Sequence, residues 1–164
     1  MVKEAVTEFI IGGNVPTSIS KDQAAIAIQD AKERTGLTWA AIAKEVGRPR
    51  EWVISALLGN HPVPEAAAKK VGDLLSLDEP TVRALQRQPY RKGLGEMAND
   101  PTVYRFVEAL AVYGSAIKEA IHEDFGDGIM SAIDFNISVA RKENPAGDRI
   151  VVTFDGKYLS YPTE

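Results

Sequence analysis

Within the stretch EDFGDGIMSAIDFNISV, residues 123–139, the spacing of the apolar residues changes from helical to strand-like, and this change sets the predicted fold of the second half of the chain. The residues ahead of this stretch form an apolar stripe at helical spacing: Val103, Phe106, Leu110, Ile117 and Ile121. This stripe predicts a helix that ends near Glu123. From Ile129 apolar residues recur at every second position, which is typical of a strand with one face towards a core. Glycines and aspartates between residues 124 and 128 predict a turn between the two elements.

The flanking sequence completes a long helix followed by two strands. Asp100 can cap the helix, and Pro101 suits its first position because proline lacks the amide hydrogen that would have no partner there. After a turn at residues 144–148, a second strand is predicted from Arg149 to Phe154, with Asp155-Gly156 as a further turn. A two-stranded hairpin alone is at best marginally stable in water. We therefore expect an obligate, symmetric oligomer in which other copies complete the sheet.

The first half of the chain is predicted to be a bundle of short helices. Capping residues, glycine or proline bound each of them: Lys21 to Arg34, Leu37 to Gly47, Arg50 to Leu58, Glu65 to Leu75 and Glu79 to about Gln86. The second and third form a helix-turn-helix pattern, and the module resembles the repressor-type fold. The predicted organisation is a flexible lead-in over residues 1–20, an all-α bundle over 21–88, and a small α+β oligomerisation domain over 89–164 with an intersubunit sheet.

The composition excludes several classes of site. The chain has no cysteine, so disulfides and thiolate sites are impossible, and it has only two histidines, so three histidine ligands cannot come from one chain. These counts argue against a metal hydrolase. The apolar stretches are far shorter than the roughly 20 residues of a membrane helix, and residues 1–11 lack the features of a signal peptide. We expect a cytoplasmic protein with no membrane partner.

The charge distribution argues against a nucleic acid partner. The net charge is −4; residues 1–89 carry 11 basic and 11 acidic residues, and residues 90–164 carry 8 and 12. A domain that neutralises several phosphates normally has a basic excess on one face. The second helix of the helix-turn-helix is mostly apolar or acidic, which leaves Arg50 and Ser55 as the main residues able to reach base edges. A DNA-binding regulator is the alternative function that this pattern leaves open.

Two residues of the long helix, Arg105 and Glu108, lie three positions apart, so their side chains share a face that is offset from the apolar stripe. The pattern alone is typical of an exposed salt bridge worth a few tenths of a kcal/mol. By itself it assigns no function.

Ser131 is the single hydroxyl in one phase of the predicted strand, whose other members are Ile129, Ile133, Phe135, Ile137 and Val139. A buried hydroxyl without a partner costs roughly 1–3 kcal/mol, so Ser131 must bond to backbone, water, another side chain or a ligand. A backbone-bonded serine is the simplest interpretation. A serine hydrolase would need His122 as its base, and no G-x-S-x-G elbow surrounds Ser131.

Four segments of the second half closely resemble the cyanase family. They are DPTVYRFVE at residues 100–108, VYG at 112–114, HEDFGDGIMSAI at 122–133 and DGKYL at 155–159. The likeness extends back through the helix-turn-helix and LLG at 57–59, so it covers the chain from about Lys21 to its end. The resemblance implies a repressor-like front domain that does not bind DNA, and a catalytic back domain whose sheets interlock between chains in a decamer of five dimers.

The same resemblance implies a reaction and three catalytic residues. Cyanases combine cyanate with bicarbonate to give carbamate and carbon dioxide, and the carbamate then gives ammonia and carbon dioxide. The catalytic arginine, glutamate and serine of the family match Arg105, Glu108 and Ser131, in sites that lie between subunits. The resemblance implies no metal and no organic cofactor, with bicarbonate as a second substrate. A purely structural assembly module is a third alternative, and it would leave these three residues without a role.

Overall fold

The computed structural model describes residues 18–90 and 93–162. In these residues the helices are α1 Lys21–Thr35, α2 Trp39–Val46, α3 Arg50–Leu57, α4 Glu65–Leu75, α5 Glu79–Gln86 and α6 Pro101–Phe125, with a 3₁₀ helix, Gly95–Asn99, directly before α6. The strands are β1 Gly128–Lys142 and β2 Arg149–Ser160. The all-α first half and the α+β second half are confirmed. Residues 1–17 of the predicted lead-in lie outside the described residues.

Helices α1 to α5 begin and end close to where their capping residues predict. The Ser20 Oγ accepts from the Gln23 N–H at 3.1 Å and Gln23 Oε1 accepts from the Ser20 N–H at 2.8 Å, which completes a capping box. Helices α1 and α2 end at Gly36 and Gly47, both with positive φ. Among the described residues, the largest fully buried side chains all lie in these helices: Ile28, Ile42, Val53, Leu57, Val71, Leu75 and Leu85. The first half therefore has a core of its own.

Helix α6 starts at the predicted cap. The Asp100 Oδ1 accepts from the backbone N–H groups of Thr102 and Val103 at 2.8 and 3.1 Å, and the proline after it takes the first helical position. The helix ends at Phe125, two residues beyond the predicted end, and the chain leaves it through Gly126 with a φ of 90°. The predicted turn is thus shorter than expected, because only residues 126 and 127 separate the helix from the strand.

No side chain of α6 is buried. The predicted apolar stripe is present but uncovered within one chain, since Phe106, Leu110 and Ile117 are 42%, 54% and 47% exposed. The second half therefore differs from the first, because its helix buries no apolar side chain within one chain.

Within the described ranges, no helix has an apolar stretch of the length needed to span a membrane.

Strands β1 and β2 form an antiparallel hairpin that is longer than predicted. Pairing runs from Lys142 with Arg149 beside the turn to Gly128 with Ser160 at the open end. Strand β2 passes through Asp155-Gly156, so the prediction of a turn there is wrong. Glycine is required at residue 156 by the close approach of the two strands, because a Cβ there would lie 2.5 Å from a backbone oxygen of β1.

A bulge in β1 overturns the predicted single apolar face of this strand. Met130 pairs with Tyr158 and Phe135 pairs with Gly156, so five steps along β1 match two along β2. Paired residues of antiparallel strands point to the same face, so Met130 and Phe135 share a face. Ile129 and Phe135, which were predicted to share one, therefore point to opposite faces. The prediction is wrong because the insertion has an odd number of residues and reverses the alternation.

The faces of the hairpin are also largely uncovered in one chain. Ile133 is 98% exposed, Ile150 77% and Phe154 49%, although all three are large apolar residues. In β1 only Gly128 and Ser131 are buried. Within a single chain, the predicted core on one side of β1 is therefore absent from the described residues.

Candidate active site

Arg105 and Glu108 form an ion pair on the exposed surface of α6. The Arg105 Nη1 donates to Glu108 Oε2 at 2.7 Å, between positions three apart on the helix. The side chains are 70% and 51% exposed, so water screens the pair and its contribution to stability is at most a few tenths of a kcal/mol. A guanidinium has further N–H groups beyond the one that Glu108 accepts from. The pair can therefore present an oriented cation to a small anion.

Ser131 is 7% exposed, and backbone groups surround its hydroxyl. The Ser131 Oγ accepts from the N–H groups of Ile133 and Asp134 at 3.1 and 3.0 Å, which confirms a backbone-bonded serine. Both bonds use oxygen lone pairs, so the hydroxyl hydrogen is left to donate elsewhere. The two interpretations of Ser131 are thus compatible, because the backbone fixes the oxygen while the proton can point at a ligand.

One chain does not join Ser131 to the ion pair. Among the described residues no hydrogen bond links Ser131 to Arg105 or Glu108. Arg105 lies about 30 Å along the helix from Phe125 at 1.5 Å per residue, whereas the six residues from Phe125 to Ser131 span at most about 22 Å. The Cα atoms of Arg105 and Ser131 are therefore separated by at least roughly 8 Å. Within the described residues, a single chain supplies the parts of the predicted site without a hydrogen bond between the serine and the ion pair.

The C-terminal part of α6 meets the start of β1 at a cavity of about 410 Å³, whose lining includes Lys118, His122 and Asp127. The His122 Nε2 lies 3.9 Å from Asp127 Oδ1, and no hydrogen bond within the described ranges joins His122 to Ser131. The hydrogen bond between base and serine that a serine hydrolase would need is therefore absent from the described residues. Neither here nor elsewhere in residues 18–90 and 93–162 do three His, Asp or Glu side chains form a group that could hold a metal ion.

The surface of α3, the second helix of the helix-turn-helix, faces β1. The Arg50 Nη2 donates to the carbonyl oxygen of Val139 at 3.0 Å. A cavity of about 870 Å³ between the two elements is lined by Trp52 and Ser55 on α3 and by Asn136 on β1. Arg50 and Ser55, the residues predicted to be able to reach base edges, are thus directed at the chain's own sheet. This arrangement does not support the DNA-binding alternative.

Gly156 lies against the backbone of Ser131, although the sequence pattern predicted only a turn there. A Cβ on Gly156 would lie 2.5 Å from the Ser131 carbonyl oxygen. The available signal was a glycine inside a segment that otherwise reads as a strand, which often marks a bulge or a close approach of backbone. The neighbouring strand residue could not be identified from the sequence, because the bulge changes the pairing.

Comparisons with known proteins match both halves of the chain. Residues 21–89 match the family described as "Cyanate hydratase, N-terminal", and residues 95–163 match the family described as "Cyanate lyase C-terminal domain". A protein of Mycolicibacterium vanbaalenii named "Cyanate hydratase" is 52% identical over 144 residues, which is 87% of this chain and 94% of the relative. A cyanate hydratase of Dechloromonas aromatica is 44% identical over 88% of this chain and 99% of the relative.

A solved structure shares the fold. The crystal structure of a cyanase from T. urticae superposes with a TM-score of 0.75 at 36% sequence identity. The match covers 84% of this chain and 96% of that one. The similarity therefore extends over both the helical bundle and the α+β half.

Proposed function

The chain belongs to the cyanate hydratase family, and on that basis we propose that it is a lyase that combines cyanate with bicarbonate. The products are carbamate and carbon dioxide, and the carbamate then decomposes to ammonia and carbon dioxide. The first step balances as OCN⁻ + HCO₃⁻ + H⁺ → H₂NCOO⁻ + CO₂, so it consumes a proton. The observation that carries the proposal is the match of both halves of the chain to relatives that bear this name.

Arg105 is the proposed anion-binding residue. Cyanate and bicarbonate are both small anions, and joining them concentrates negative charge that a fixed guanidinium can stabilise when water is excluded. Holding two mutually repelling anions in contact is itself a large part of the catalysis. The exposed position of Arg105 on α6 supports this role, because its remaining N–H groups are available to a ligand.

Glu108 and Ser131 are proposed to complete the site. Glu108 orients the Arg105 guanidinium through the 2.7 Å hydrogen bond and balances part of its charge. Ser131 donates its hydroxyl hydrogen to a substrate oxygen, which adds a hydrogen bond without adding net charge. The two backbone N–H groups that hold its oxygen support this assignment, since they leave the proton as the free part of the group.

The proposal includes an oligomer, a decamer of five dimers, whose sites lie between chains. The uncovered apolar residues of α6 and the hairpin support association, because contiguous apolar surface of this kind is costly in water. Association would also remove water from around Arg105, which strengthens its interaction with an anion. We further propose that no metal or organic cofactor takes part. The absence of cysteine fits a reducing compartment, and we propose the cytoplasm.

The reaction is tested by measuring ammonia release from cyanate in buffer freed of carbon dioxide, with and without added bicarbonate. Ammonia should appear with bicarbonate, with uptake of protons, and should be strongly reduced without it. Protein carrying Arg105→Ala serves as the inactive control at the same concentration. Equal, slow ammonia release from both proteins, independent of bicarbonate, would show that the proposed reaction does not occur.

A further inference from the structure

Ser131 lies in the bulge of β1, opposite a short stretch of β2. Between the pairs Met130 with Tyr158 and Phe135 with Gly156, the residues 131–134 of β1 face a single residue of β2. The bulge therefore sets the position of the serine backbone. The Ile133 and Asp134 N–H groups donate to the Ser131 Oγ and so hold the bulge in this conformation.

Because Gly156 has no side chain, it leaves room for the bulge of β1. A Cβ on Gly156 would lie 2.5 Å from the Ser131 carbonyl oxygen, 2.5 Å from Met130 Cγ and 3.2 Å from Met130 Sδ. Gly156 is not among the residues with positive φ, so an alanine could adopt its backbone conformation. The requirement for glycine at this position is therefore a requirement for space.

The two close neighbours would respond differently to an added methyl group. The Met130 side chain is long and flexible and can turn away. The Ser131 carbonyl can move only if the serine backbone moves, by roughly 1 Å if the contact is to relax from 2.5 Å to an ordinary separation. A shift of this size at a group that must meet a reacting anion is enough to reduce turnover strongly.

We propose that Gly156 is a positioning residue for Ser131: its missing side chain fixes where the serine backbone lies and hence where the hydroxyl donates. The inference rests on the proposed function of Ser131. Gly156 touches no substrate, so its effect passes entirely through the serine. Removing the serine hydroxyl should then make Gly156 irrelevant to turnover.

The test is a double-mutant cycle on the full-length oligomer with Gly156→Ala, Ser131→Ala and the double variant. Gly156→Ala should lower kcat by about 10- to 100-fold and change the KM for cyanate by less than about threefold. In the Ser131→Ala background it should change the residual kcat by less than about twofold. Gly93→Ala is the matched control, because its added Cβ meets nothing within 4 Å. It should leave kcat unchanged.

Two further measurements test whether the effect of Gly156→Ala arises at the serine backbone. Hydrogen exchange over residues 131–134 should speed up in Gly156→Ala and stay unchanged in Gly93→Ala. This result does not require turnover of cyanate, so the positioning role of Gly156 can be tested even if the proposed reaction does not occur. Met130→Ala/Gly156→Ala removes the methionine contact and should stay as impaired as Gly156→Ala.

Recovery of activity in that double variant would place the clash on Met130 and overturn the proposal. Multiplicative losses of kcat in the Ser131→Ala background would overturn it too. If neither Gly156 variant assembles into the wild-type oligomer by light scattering, Gly156 serves folding and the proposal is wrong.

Discussion

Glu51 on α3 and Val139 on β1 are joined by a hydrogen bond between the two halves of the chain, in which Glu51 Oε1 accepts from the Val139 N–H at 3.3 Å. Arg50 donates to the carbonyl oxygen of the same residue at 3.0 Å and pairs with Glu51 at 2.6 Å. Val139 thus has partners for both of its outward backbone groups, as it would beside another strand. The bundle covers this part of the β1 edge with side chains, a common protection of exposed edges.

The first prediction concerns this contact. Glu51→Gln keeps the shape of the side chain but weakens the charge-assisted bonds, and should speed amide exchange at Val139 by about fivefold, equivalent to ~1 kcal/mol. Glu65→Gln is the control, because Glu65 also belongs to an exposed ion pair, with Lys69. Exchange measured by mass spectrometry should be unchanged at Val139 in the control. Equal exchange in wild type and Glu51→Gln would show that the contact does not hold the two halves together.

The second prediction uses the cap of α5. The Asp78 Oδ1 accepts from the Thr81 N–H at 2.9 Å, and hydrogen bonds from the Thr81 side chain and backbone lower the pKa of the Asp78 carboxyl below its ordinary 3.8. Asp78→Ala should cost about 1 kcal/mol, or ~2–4 °C in Tm. A depressed carboxyl pKa stabilises the fold above the unfolded pKa, and this contribution is lost as pH falls through the folded pKa.

The Tm difference between wild type and Asp78→Ala should therefore be constant from pH 7 to about 5 and shrink below about pH 4. Thermal scans at a fixed protein concentration measure it, since oligomer stability depends on concentration. Asp73→Ala, which removes an exposed carboxylate near the end of α4, is the control and should change Tm little. A Tm difference that persists unchanged to pH 3 would contradict the role of the ionised carboxylate.

Sequence patterns predicted the local features of this fold well. Ser20 and Asp100 cap their helices as expected, because capping depends on a few neighbouring residues. The strand features were predicted less well. Ile129 and Phe135 lie on opposite faces, and β2 continues through Gly156, because both depend on pairing between strands that the sequence of either strand does not reveal.

The candidate site, too, could be predicted from the sequence only in part. Arg105 and Glu108 share a helix face, so their contact followed from a spacing of three. The spacing cannot relate either residue to Ser131, which lies on another element and whose Oγ accepts from two backbone N–H groups. Their assignment to one site came from resemblance to a family.

The third prediction tests Arg105 as an anion holder. Arg105→Lys should stay folded and assembled but lose activity by on the order of 10²-fold, because a flexible ammonium replaces a planar fork that can hold two anions in fixed relation. Arg83→Lys is the control, since Arg83 forms an exposed ion pair with Glu79 at 3.1 Å on α5. Near-normal kcat/KM in Arg105→Lys would demote Arg105 to a structural residue.

The fourth prediction concerns cofactors. Activity should survive prolonged dialysis against a strong chelator and should still require bicarbonate, because the proposed chemistry uses only side chains and the second substrate. Metal content and ammonia release are measured on the same samples before and after dialysis. Loss of activity that one specific metal restores would contradict the prediction, whereas slow loss that no metal restores would point to unfolding, visible by circular dichroism.

The last prediction tests whether the site is shared between chains. Arg105 lies on a helix with no buried side chain, and Ser131 lies on a hairpin whose large apolar residues are mostly exposed, so both elements leave surface that another chain could cover. If each site takes its arginine and its serine from different chains, Arg105→Ala and Ser131→Ala proteins should complement each other. Random mixing in equal amounts leaves about one quarter of such sites with both residues intact. Up to ~25% of wild-type activity should then return after the two proteins are unfolded and refolded together.

Wild type refolded alone corrects for refolding losses, and the variants mixed without unfolding should remain inactive. Each variant carries a different mass tag, so native mass spectrometry can verify that the oligomers are mixed. Verified mixed oligomers with no more activity than the two parents would show that both residues come from the same chain.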